Sequence, residues 1–168
     1  MSSNPASTRA IAPRNVNTAY WLYVVSAVVG LIGFVLTLVL LPAAVTAVEQ
    51  QYQGRDTGGV DVHAVAVASA TGTAIVGGLF AVAFFVLTLV FAAKMRAGRN
   101  WARIVLAVFA ALHVVGLLSL ALGSTPVVSA LLSVVVAVLA AIAAILTFLR
   151  ESNAWFQEQK AARATTTV

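Results

Sequence analysis

The chain has 168 residues, 61% of them hydrophobic and only 9% charged, with a mean hydropathy of +1.01. That apolar share lies well above the roughly 45–50% of soluble domains and excludes an ordinary soluble globular fold. The net charge of +5 would point to nucleic acid in a soluble protein. Basic residues that flank membrane spans instead set orientation and meet anionic lipid headgroups, so nucleic acid is excluded as an expected partner.

The chain has no cysteine, which removes disulfides, thiolate metal sites and thiol redox chemistry together. Arginine outnumbers lysine eight to two and Ala and Val dominate the apolar positions, a composition expected of a GC-rich bacterial genome and hence of a bacterial inner membrane.

Residues 1–19 are polar and free of acid, carry Arg9 and Arg14, and are expected to form a disordered cytoplasmic tail. Tyr20 to Leu41 is the first span, whose 22 residues rise about 33 Å as a helix, enough for a hydrocarbon core of about 30 Å. This run exceeds the 7–15 residues of a signal-peptide core, so it is read as an uncleaved helix.

Pro42 closes that span, and residues 42–63 are expected to form an extracytoplasmic loop. Its polar part from Glu49 to His63 sets Glu49, Asp56 and Asp61 against the single Arg55. The second apolar run, 64–93, is 30 residues long, more than a bilayer requires, so its first turns are expected to protrude or bend.

Residues 94–103 read as a tight helix-to-helix turn. Lys94 and Arg96 suit the last turn of one helix, Gly98 suits a left-handed position just beyond it, and Asn100 suits the N-cap of the next helix. Trp101 is placed at headgroup level.

The third span is 101–122, the Gly-Ser-Thr-Pro stretch 123–126 is a second hairpin, and 127–149 is the fourth span. The tail 150–168, with Trp155 and Phe156, is expected to continue as a cytoplasmic segment, partly an interfacial helix. Nine of the ten Lys and Arg residues flank one side of these four spans and Arg55 alone the other, so the positive-inside rule places both termini in the cytoplasm. The expected fold is all-α: an integral membrane four-helix antiparallel bundle, N-in and C-in.

Small residues recur at helical spacing in three spans: Ser26, Gly30, Gly33 and Thr37; Ala66, Ala70, Thr73, Gly77 and Ala81; Ser133, Ala137, Ala140, Ala144 and Thr147. Steps of three and four put each set on one helix face, where it lets backbones approach closely. Phe34, Leu36, Phe84, Phe85 and Leu146 are then expected to face lipid or fill the flanks.

His113 is the one titratable side chain deep inside a span, about 18 Å from the inner end of its helix. An intramembrane ionisable group is a functional candidate. Yet no Asp, Glu, Lys or Arg lies at similar depth in another span, and a neutral imidazole bonded to Ser133, Thr37 or a backbone carbonyl would also satisfy it.

One membrane histidine cannot supply paired haem ligation, and buried-glutamate export and Cys-x-x-Cys oxidoreduction lack their essential residues. Asp61 and His63, with Glu49 and Asp56 nearby, have a spacing too generic for a metal site. Lys94, Arg96, Arg99, Trp101 and Arg103 could bind anionic headgroups or an acidic partner, although orienting the spans already accounts for them.

The stretch Met-Arg-x-Gly-Arg-x-Trp-Ala-Arg at 95–103, leading into an Ile/Val/Leu-rich span, resembles the inner-loop signature of uncharacterised small four-span integral membrane proteins of bacteria. The resemblance covers the topology and about nine residues, and it implies neither an enzymatic activity nor a cofactor.

The sequence thus leads to a non-enzymatic accessory or scaffolding subunit of the plasma membrane, with a membrane-protein partner or a second copy of itself. The alternative is an oligomeric transporter of a small solute or ion, with a path lined by His113.

Overall fold

A computed structural model describes residues 11–120 and 127–165. Six helices follow in order: α1 (Arg14–Val39), α2 (Leu41–Tyr52), α3 (Val62–Arg96), α4 (Asn100–Leu120), α5 (Val127–Phe148) and α6 (Arg150–Thr165). Among the described residues there is no strand. Helices α1, α3, α4 and α5 are long and apolar enough to cross a membrane, and they pack as an antiparallel bundle in which α1 lies between α3 and α5 and α4 closes the ring.

The start of α1, the α3–α4 turn and α6 gather at one end, which carries Arg14, Lys94, Arg96, Arg99, Arg103, Arg150, Lys160 and Arg163 and is called here the basic end. The opposite, distal end holds α2 and Arg55.

The bundle places many small side chains inside and most branched ones outside. Its buried residues include Ala19, Ala92, Ala102, Ala110, Ala137, Ala140 and Ala143, while Val, Leu and Ile side chains along all four long helices are exposed. This is the pattern of helices that associate by close backbone approach while their branched side chains meet lipid. Gly33 and Gly30 of α1 face Leu132 and Val136 of α5, and a side chain built on Gly33 would stand 3.8 Å from Leu132.

Several sequence expectations are corrected at the helix ends. Residues 11–13 precede α1, but 14–19 are not tail: α1 starts six residues before Tyr20, and Val16 and Ala19 are buried in the core. Val16, Ala19, Tyr23 and Ser26 recur at steps of three and four, so the buried face runs on past the apolar run that marks the span. Residues 1–10 of the expected tail lie outside the described residues.

Residues 42–63 are not all loop. Pro42 occupies the first turn of α2, where its missing N–H costs nothing, and the helix continues to Tyr52 with none of its residues buried. α3 runs unbroken over 35 residues, about 52 Å, so its distal turns project beyond a bilayer core, and α2 packs beside them. Asp61 caps α3 by accepting the Ala64 N–H at 3.0 Å.

Three of the five bulky residues expected to face lipid or fill the flanks pack against other helices. Phe34 leans over Gly77 and Gly78, Phe84 lies between Phe109 and His113, and Leu146 packs on the buried core. Faces made of small residues leave grooves, and these side chains fill them. The hairpin expected at 123–126 lies outside the described residues.

Candidate functional site

The α3–α4 turn at the basic end is closed by backbone chemistry that the sequence specifies. Gly98 takes φ +78°, its N–H reaches the Met95 carbonyl at 2.8 Å, and the Arg99 N–H reaches the Lys94 carbonyl at 3.1 Å. This pair of bonds is the Schellman closure, which needs a left-handed residue at that position. Asn100 is the first residue of α4 rather than its N-cap, a difference of one position.

The carboxyl end of α5 is finished differently. Its last carbonyls would lack partners at a helix end. Ser152 Oγ donates to the Leu146 oxygen at 2.8 Å, Arg103 to the Thr147 oxygen at 3.2 Å and Asn153 Nδ2 to the Phe148 oxygen at 2.8 Å. Three side chains from two other helices thus cap α5, one of them cationic, as the negative end of the helix dipole favours.

Arg103 is the centre of this cap. The same guanidinium nitrogen that reaches Thr147 also donates to the Asn153 side-chain oxygen. Its plane lies over the Phe148 ring at 5.0 Å and the Phe156 ring at 4.7 Å. Trp155 and Phe156 are buried in the protein rather than lying in the membrane interface. Their packing fixes α6 across the bundle, and Arg163 donates to the Ala97 oxygen while Gln159 lies over Gly98. Asn15 near the start of α1 donates to Glu151 at 3.1 Å, which adds a link between α1 and α6.

The five residues singled out around this turn therefore separate. Arg103 is committed to the internal cap, and Arg96 stacks on the Tyr20 ring at 4.9 Å but stays exposed. Lys94, Arg99 and Trp101 are exposed. Trp101 also begins a file of rings along the α3–α4 seam: Trp101 to Phe91 at 5.6 Å, Phe91 to Phe109 at 5.9 Å, Phe109 to Phe84 at 4.8 Å, and Phe84 to His113 at 5.8 Å.

Beside the distal end of that file, the four long helices line a partly open cavity of about 490 Å³. Ser26, Gly30, Gly33, Thr37, Gly77 and Ser133 all line it, so the small-residue faces both meet and leave space. Ala137 is buried below it in the α5 face that packs on the bundle.

His113 lines the cavity and its Nδ1 lies 2.9 Å from the Phe109 carbonyl oxygen. Because a carbonyl only accepts, Nδ1 carries the proton and donates, and Nε2 is left as an acceptor in the neutral ring. The hydroxyls of Ser26, Thr37 and Ser133 donate to carbonyls of their own helices. Among the described residues no Asp, Glu, Lys or Arg lines the cavity.

Toward the basic end the bundle is filled. Tyr23, Met95, Leu106 and Phe156 belong to one buried cluster that plugs it below the cavity. The Tyr23 hydroxyl and Arg103 Nε are buried there without hydrogen-bond partners.

The acidic residues at the distal end are spent locally. Asp61 caps α3, Asp56 accepts the Gly58 N–H at 2.9 Å, and Glu49 pairs with His63. Among the described residues no group of three or more His, Asp or Glu side chains is placed to hold a metal ion.

Comparison with protein-family models, curated proteins and solved structures finds no match.

Two features escaped sequence reasoning. One is the part of Arg103 in the α5 cap, 44 residues before Thr147 and 50 before Asn153, for which no local signal exists. The other is Thr88 in the cavity wall. Phe84, Thr88, Phe91 and Met95 recur at steps of four, three and four, so the face they share could have been read.

Proposed function

We propose that this chain is a non-enzymatic accessory or scaffolding subunit of a bacterial plasma-membrane assembly, with both termini in the cytoplasm. One observation carries the reading: α6 is a fixed part of the bundle, held by Arg103, Trp155 and Phe156, so the basic end is a built surface rather than a fraying tail. Lys94, Arg96 and Arg99 stand exposed on that surface, beside Trp101. An ordered basic surface matches anionic headgroups or an acidic patch on a partner, and the ordering entropy of its helices is already spent before contact. The excess of Lys and Arg at this end supports its cytoplasmic placement.

The transporter alternative draws on His113 in the cavity wall. The filled basic half of the bundle argues against a path through a single copy.

The test is purification of the tagged chain at native expression level in a mild detergent, with quantitative mass spectrometry of what stays bound. The expected result is one membrane protein at constant stoichiometry, lost from the double variant Lys94→Glu/Arg99→Glu at unchanged abundance. Recovery of wild type alone, as a homo-oligomer, would overturn the subunit reading. A reporter fused after Val168 that is active only outside the cytoplasm would overturn the orientation.

A further inference from the structure

The distal cavity carries two hydroxyls that no protein group uses. Among the described residues, Thr88 and Ser129 line it and neither hydroxyl has a hydrogen-bond partner, whereas Ser26, Thr37 and Ser133 each bond to their own helix. Thr88 is only 8% exposed, and it lines the cavity. An unsatisfied hydroxyl in an apolar interior is costly, and a partner arriving in the cavity would relieve it.

The lining fixes what that partner is. Among the described residues no charged side chain lines the cavity, so a charged molecule would be buried unpaired and a neutral one is favoured. The wall offers free donors at Thr88 and Ser129 and a free acceptor at His113 Nε2, so the occupant carries oxygens. Phe34, Phe80, Phe84 and Phe85 are part of the lining, and aromatic walls suit a flat ring.

Size and access agree. The cavity's 490 Å³ falls within the roughly 300–1,000 Å³ of small-molecule sites. It follows α1 from Ser26 to Thr37, about 16 Å by helical rise, which accommodates a ring and a short apolar chain. Phe80 and Leu112 are both cavity wall and exposed surface, so entry is from the lipid between α3 and α4.

We infer that this cavity is a binding site for an uncharged, lipid-soluble ring bearing carbonyl or hydroxyl oxygens, of the quinone or phenol class, with Thr88 at its floor donating to a ring oxygen. The site is independent of the subunit role, because it lies at the opposite half of the bundle from the basic surface.

The full chain in phosphatidylcholine nanodiscs tests this, with an azido-benzoquinone photolabel and two competitors of matched chain length, decyl-benzoquinone and decylbenzene. The expected result is saturable labelling on peptides of the cavity wall, with decyl-benzoquinone competing at least fivefold better than decylbenzene. A lost neutral hydrogen bond is worth roughly fivefold in affinity. Thr88→Val, which keeps the shape and removes the hydroxyl, is expected to reduce the preference by that factor. Thr88→Ala, a milder truncation that removes the same hydroxyl, is the second variant in case the first fails to fold.

Equal competition by decylbenzene would mean that the cavity only receives acyl chains, and would overturn the inference. So would non-saturable labelling, labelling away from the cavity, or an undiminished preference in every folded variant.

Discussion

Removing Arg103 should release α6 from the bundle without unfolding the spans. In Arg103→Ala the Asn153 side-chain oxygen and the Thr147 carbonyl each lose a cationic donor, and the Phe148 and Phe156 rings lose the guanidinium stacked at 5.0 and 4.7 Å. Hydrogen bonds from a charged donor contribute about 1.5–3 kcal/mol, and a ring contact about 0.5–1 kcal/mol at a site that is not fully desolvated. Arg103 is only partly buried, and water partly replaces what is lost, so a net cost of about 2–3 kcal/mol is expected. At about 1.4 kcal/mol per decade this lowers amide-exchange protection in α6 by roughly 30- to 150-fold.

Hydrogen–deuterium exchange of the protein in nanodiscs, read by mass spectrometry, makes the measurement, with α2 as the internal reference. Arg103→Lys retains a charge near the end of α5 but loses the planar fork and the stacking, so it should fall between wild type and Ala. Protection of α6 in Arg103→Ala within threefold of wild type would refute the reasoning and leave the attachment to burial of Trp155 and Phe156 with the Asn15–Glu151 and Arg163–Ala97 bonds.

Two further outcomes follow from the same end of the molecule. Phe156→Ala empties a position that is 1% exposed and should cost about 3–5 kcal/mol, seen as rapid tryptic cleavage after Lys160 and Arg163 while the spans stay intact. Gly98→Ala forces a side chain into φ +78° and to 3.0 Å from Gln159 Cγ, and should lower unfolding stability by about 1–2 kcal/mol or more in a denaturant titration. An unchanged midpoint there would mean that the turn relaxes out of the left-handed geometry.

The four spans, the gathering of basic residues at one end and the α3–α4 turn were legible in the sequence because each rests on local chemistry. Apolar run length decides a span, Gly98 decides a left-handed closure, and an even number of antiparallel spans returns both ends of the described chain to one side. Tertiary structure alone decided the rest. Trp155 and Phe156 have the composition of an interfacial helix, and only the position of Arg103, about 50 residues earlier, turns them into a buried seat for α6. The faces with Gly30, Gly33 and Gly77 predict close approach, but whether small residues meet or leave space depends on the facing helix. Here α5 comes within contact of Gly33, whereas beside Gly77, His113 and Thr88 the same economy of side-chain volume leaves a cavity.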